Sequence, residues 1–126
     1  MSYLKRVLDN PRALNLFEKS SITKMISYLP GKDILNTQMI HAEVISVCDC
    51  GCRTVDLRVP TDLDQYICNR RVPVEMEVKL EDDSAPVLFQ LHVVNGYLNE
   101  LEILKLDSTP INEEVDITKG IVTVRT

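Results

Sequence analysis

The stretch "PVLFQLHVVNGYLNELEILKL", residues 86–106, decides how this chain folds. Val87, Phe89, Leu91 and Val93 alternate with Leu88, Gln90 and His92, the period of two that sends successive side chains to opposite faces of a strand. Asn95-Gly96 is the strongest short hairpin signal in the chain, because both residues tolerate the positive φ that tight hairpin turns require. A plain two-residue loop would set Val94 against Tyr97 and bring Leu91 and Phe89 opposite Glu100 and Glu102, which wastes the apolar pattern. A loop longer by one residue, with Gly96 in a left-handed bulge position, instead groups Val87, Phe89, Leu91 and Val93 with Leu101 and Ile103. His92, Gln90, Glu100 and Glu102 then share the outer face.

The same period runs outward from this hairpin. In "VPVEMEVKL", residues 72–80, Val72, Val74, Met76, Val78 and Leu80 face one way and Glu75, Glu77 and Lys79 the other, as in a sheet with one buried and one wet side. "SVCDCGCRTVDL", residues 46–57, reads as a second hairpin. With "DCG" as a three-residue loop, Cys48 lies opposite Cys52, Ser46 opposite Thr54, Val44 opposite Asp56, Ile45 opposite Val55 and Glu43 opposite Leu57. "GIVTVRT" at the C-terminus makes a further strand, and "PTDLDQYICNRR", residues 60–71, a loop or one short helix.

The first third reads as helical. Tyr3, Leu4, Val7 and Leu8 recur at helical spacing, Asn10-Pro11 offers an N-cap and a first-turn proline, and Ile22, Met25, Ile26 and Leu29 form a second stripe after the caps Ser20 and Ser21. "LPG", residues 29–31, stops that helix, and one helical turn over "KDILN" leads to strands from Gln38 onward. The expected architecture is α+β, with short N-terminal helices packed on one face of an antiparallel β-meander sheet. A single domain over residues 1–126 follows, helical in 1–37 and sheet in 38–126.

Composition bounds the function. Hydrophobic residues make up 44% and charged residues 26% of 126, which suits a folded globular chain. The charged residues Lys5, Arg6, Asp9 and Arg12 interrupt any apolar signal-peptide core, and no run is long enough to cross a bilayer, so a cytoplasmic address and no membrane are expected. The net charge of -5 is uneven: residues 1–40 hold six basic and three acidic side chains, residues 41–126 eight basic and sixteen acidic. Such a chain disfavours a nucleic-acid backbone as partner and permits a basic protein.

Three candidate chemistries remain. Cys48, Cys50, Cys52 and Cys68 could bind zinc in number, but alternate residues on an extended strand lie roughly 6–7 Å apart, so only a tight turn would gather three sulfurs on one ion. Cys48 and Cys52, if opposed, could form a strained, reducible cross-strand disulfide. As a third option the cysteines are small apolar residues at a hairpin tip, the reading preferred on sequence alone, with no metal or cofactor expected. His92 beside Glu100 or Glu102 resembles an acid–base pair and would need a concave pocket on the outer face. No glycine-rich phosphate loop, nucleophile elbow or HExxH is present, and the chain is expected not to be an enzyme.

"LPGKDILNTQM", "CGCRTVDLRV" and "LFQLHVVNGYLNELEILKLDSTPI" together resemble a family of small, uncharacterised bacterial proteins with a closing "HV..GYL.ELEI" hairpin. The resemblance covers residues 28–112 and implies a cytoplasmic immunity protein for a secreted toxin. An inhibitor of a basic toxin such as a nuclease gains association rate and selectivity from acidic side chains. Asp56, Glu75, Glu77, Glu100 and Glu102 supply such a face, and the "LEDDSAP" loop adds Glu81, Asp82 and Asp83. Because these carboxylates alternate with buried residues, reversing Glu75 and Glu102 to lysine is expected to leave stability nearly unchanged.

Overall fold

The computed structural model describes residues 4–125. Among them are seven strands: β1 (Lys5–Ala13), β2 (Glu43–Cys48), β3 (Val55–Arg58), β4 (Val74–Val78), β5 (Val87–Val94), β6 (Tyr97–Lys105) and β7 (Ile121–Val124). They form one antiparallel sheet in the order β1-β2-β3-β6-β5-β4-β7. Helices α1 (Leu16–Ile26) and α2 (Lys32–His41) lie on one face, so the α+β class and its helix-covered antiparallel sheet hold. Two three-stranded antiparallel units, β1-β2-β3 and β4-β5-β6, and the edge strand β7 beside β4 make up the sheet. After β3 the chain passes through residues 59–73 to β4, and β4-β5-β6 then returns so that β6 docks on β3.

The alternating pattern sorts as its period requires. Val74, Met76, Val78, Val87, Phe89, Leu91, Leu101 and Ile103 are fully buried on the helix side, where the rings of Phe17 and Phe89 stand 5.9 Å apart. The grouping of Phe89 with Ile103 and Leu91 with Leu101 is as expected, but by another device. The turn is the two-residue Asn95-Gly96, with φ of 53° and 84°, and Val94 does face Tyr97. A bulge inside β6, where Asn99 is the extra residue between the pairs Val93–Leu98 and His92–Glu100, restores the register.

Residues 5–13 are strand, not helix. Leu4 and Val7 are exposed, so their spacing marks no buried stripe, and Tyr3 lies outside the described residues. Without β1, the outer edge of β2 would present its backbone groups unpaired. Asn10-Pro11 caps nothing; it sits where the β1–β2 register breaks between Val7 and Arg12, an edge position at which a missing N–H costs no ladder bond. The first helix starts earlier than Ser20: Asn15 caps the Glu18 N–H, and Glu18 accepts from the Asn15 N–H. Helix α2 is longer than the single turn expected, because Leu35, Gln38 and Met39 carry a helical buried stripe to its end. The strand expected from Gln38 therefore begins at Glu43. Residues 60–71 hold neither helix nor strand, and no helix among the described residues is long and apolar enough to cross a membrane.

Candidate functional site

The link between β2 and β3 is where the cysteines meet. The observed pairs are Glu43–Arg58, Val44–Leu57, Ser46–Asp56 and Val47–Val55, with Ile45 bulged. Cys48 N donates to Thr54 O at 3.2 Å, so Cys48 faces Thr54 and not Cys52, and the loop is Asp49–Arg53. The bulge lets Val44 and Leu57 share the core side while Ser46 and Asp56 share the outer side, a sorting that the expected three-residue loop denied Glu43 and Leu57.

The loop is pinned from both flanks. Asp49 N donates to Leu4 O at 3.0 Å, Arg6 Nε to Asp49 Oδ2 at 2.9 Å, and Ile111 N to Gly51 O at 2.9 Å. Gly51 has a φ of +96°, and a Cβ there would stand 2.6 Å from Pro110 Cβ. Only glycine allows the loop to turn this tightly against the 108–111 segment.

That turn overcomes the spacing objection. Cys48 Sγ lies 2.7 Å from Cys50 Sγ, Cys50 Sγ lies 3.1 Å from Cys52 Sγ, and all three lie within 4.8 Å of one another. Cys48 is buried, Cys52 half-buried and Cys50 exposed. The Cys50 N–H donates to Cys48 Sγ at 3.4 Å. Burial pushes the Cys52 thiol up to about 12, against hydrogen bonds from Thr54 that pull it down. Cys68 stays apart from the cluster, its Sγ donating to Arg70 O at 3.2 Å, so a four-cysteine site is not assembled. Cys48 faces Thr54, so Cys48 and Cys52 are not the opposed pair that a cross-strand disulfide would need. Three converging sulfurs are a soft donor set of the kind that selects zinc or copper(I) over magnesium or calcium.

Cys50 and Cys52 line a groove of about 900 Å³ on the outer sheet face, together with Leu4, Lys5, Thr54, His92, Glu100, Glu102 and Leu104. The face is thus concave, as an acid–base site at His92 would require. His92 is already engaged at both ring nitrogens. Arg71 Nε donates to Nδ1 at 2.9 Å, and a guanidinium can only donate, so the ring hydrogen sits on Nε2 and points to Glu102 Oε1 at 2.8 Å. This hydrogen bond holds the Glu102 carboxyl below the usual glutamate range, against its burial.

The acidic residues share the outer face in two cross-strand rows, Glu75–Gln90–Glu102 and Asp56–Glu100–His92. Most carry a partner. Lys5 Nζ lies 3.0 Å from Asp56 and 3.6 Å from Glu100, and Ser46 also donates to Asp56. Burial opposes ionisation of Glu75, but Arg125 and Gln90 donate to it and hold its carboxyl below the usual range. In the "LEDDSAP" loop, Glu81 pairs with Lys119 at 2.7 Å, Asp82 accepts from Ser84 and Asp83 is exposed; Glu77 on β4 is exposed as well. Charge reversal at Glu75 and Glu102 would therefore disrupt anchored carboxylates, and the expectation of unchanged stability moves to Glu77. Sequence reasoning missed Lys5, Arg71 and Arg125; no local signal marks them, because each finds its partner 21 to 51 residues away along the chain. Comparison of the chain with known protein families, curated proteins and solved structures finds no match.

Proposed function

We propose that this protein is a small thiolate metal-binding module that holds one borderline-soft divalent ion, zinc in the simplest case, at Cys48, Cys50 and Cys52. The observation that carries the reading is the convergence of three sulfurs within 4.8 Å on a loop braced by Gly51. Zinc–sulfur bonds of about 2.3 Å set tetrahedral sulfurs roughly 3.8 Å apart, so side-chain shifts of about 1 Å would seat the ion. Hairpin-tip packing alone gives no reason for three thiols to crowd one point. Protein purified without chelator, or reconstituted with zinc, is expected to carry about one equivalent by elemental analysis. Zinc at a hundredfold excess over its Kd adds about 2.7 kcal/mol of stability, a rise in Tm of roughly 10 °C for a chain this long. Cys50→Ser and Cys52→Ser should abolish both effects and Cys68→Ser neither. Uptake that survives Cys50→Ser, or no uptake by the native chain, sinks the reading.

A second reading is an immunity protein that neutralises a basic toxin, such as a nuclease. It is supported by a hollow of about 540 Å³ with five carboxylates (Glu81, Asp82, Glu113, Glu114 and Asp116) against the ammonium groups of Lys79 and Lys119. Exposed charges act mainly on encounter and are screened by salt. Reversal of the exposed Glu77 and Asp83 to lysine should slow association with a toxin domain encoded next to this gene, more at low salt than at high. Failure of the native protein to retain that domain at low salt counts against this reading and leaves the metal reading untouched.

A further inference from the structure

We propose that an ion held by Cys48, Cys50 and Cys52 keeps one coordination position open to the outer-face groove and takes there a neutral nitrogen donor, the amine or imidazole of a small molecule, in preference to an anion. The proposal rests on the thiolate-ion reading and adds the class of ligand that the site accepts.

The loop gathers three donors, whereas a zinc-like ion takes four. Cys68 is bonded elsewhere, to Arg70 O. His92, the nearest imidazole in the groove, has both nitrogens committed, to Arg71 and to Glu102, so recruiting it would break two hydrogen bonds at once. Cys50 and Cys52 themselves line the groove, so an ion that they hold would sit at its wall, within reach of a molecule in it. About 900 Å³ is ample for a small organic molecule.

Charge decides the class of ligand. A divalent ion with three thiolates is a net anion, and the groove adds Glu100 and Glu102. The two described cations that line the groove are already paired: Lys5 with Asp56 and Glu100, and the Lys105 ammonium with Glu113 at 2.8 Å. An incoming anion meets the repulsion of these carboxylates and, among the described residues that line the groove, no cation without a carboxylate partner. An amine or imidazole instead brings an uncharged donor atom that borderline-soft ions accept, and an N–H that either carboxylate can take.

The test loads the full-length chain with cobalt(II), whose thiolate charge-transfer band in the ultraviolet reports the cysteines and whose visible bands report coordination. Imidazole and sodium azide are titrated in parallel. The expected result is a saturable shift of the visible bands with imidazole at a concentration at least about tenfold below that needed for azide, while the charge-transfer band persists; one unit charge repelled across about 12 Å at an effective dielectric near 20 amounts to tenfold. Visible bands that ignore both probes mean a closed coordination shell and overturn the proposal. So does azide binding as well as imidazole, or imidazole that erases the charge-transfer band by stripping the ion. Absence of that band from the start removes the thiolate site itself and the proposal with it, an outcome distinct from the other three.

Discussion

Gln38→Leu is expected to lower the free energy of unfolding by about 2–6 kcal/mol. Gln38 is fully buried on α2, where Nε2 donates to Asp64 O at 2.8 Å and to Gly96 O at 2.9 Å, and Oε1 accepts from Leu98 N at 3.0 Å. One side chain thus joins the helix layer to the loop of residues 59–73 and to the β5–β6 turn. Leucine has nearly the same volume, so packing is preserved and the loss is polar. Gly96 O keeps a donor in Tyr66 N at 2.8 Å, but Asp64 O and Leu98 N lose the bonds Gln38 gives them, at about 1–3 kcal/mol for each group left unsatisfied. Urea unfolding monitored by circular dichroism measures the effect as a lower midpoint at unchanged slope. A loss below about 1 kcal/mol would mean that Gln38 is not the staple described.

Met76→Ala is expected to cost about 2–5 kcal/mol, the range for truncating a buried methionine where the surroundings relax only in part. Met76 is fully buried in the rung Met76–Phe89–Ile103. Gly120 closes over it so tightly that a Cβ there would fall 2.7 Å from Met76 Cγ. Collapse of the void would need movement of the turn that leads into β7, which pairs with β4 through Met76–Val122. The control is Glu77→Lys, one residue on and exposed, expected to stay within about 0.5 kcal/mol of the native protein. Thermal unfolding of the two variants tests the assignment of faces. If Glu77→Lys unfolds as readily as Met76→Ala, the buried and wet sides of β4 have been exchanged.

The metal reading and these core predictions separate cleanly in space. Gln38 and Met76 act on the helix side of the sheet, whereas the cysteine loop and its groove lie at the β2–β3 end of the outer face. Elemental analysis therefore tells loss of zinc from either core variant, which should keep its metal, and Cys50, being exposed, can be changed to serine with little packing cost.

Alternation was legible from the sequence wherever a strand is buried on one side. "VPVEMEVKL" and "PVLFQLHVV" announced which residues face the helices, because side-chain direction in a strand depends only on parity along the chain. The Asn15–Glu18 capping box was equally local and could have been read. Other features had no local signature. Val7 and Leu8 fit a helical stripe as well as a strand, and their choice was made by the free edge of β2. The bulges at Ile45 and Asn99 settle register through the packing of facing pairs, not through the turn residues alone. Lys5, Arg71 and Arg125 reach carboxylates or imidazole from distant segments, so the apparent acidic face is largely neutralised in the folded protein. The cysteines show the division most plainly. Their spacing argued against a shared ion on an extended strand, and only a loop curled around Gly51 and held by Pro110 and Ile111 draws the sulfurs together. Parity is a property of neighbours along the chain, whereas convergence and charge pairing are properties of neighbours in space, which the tertiary structure alone supplies.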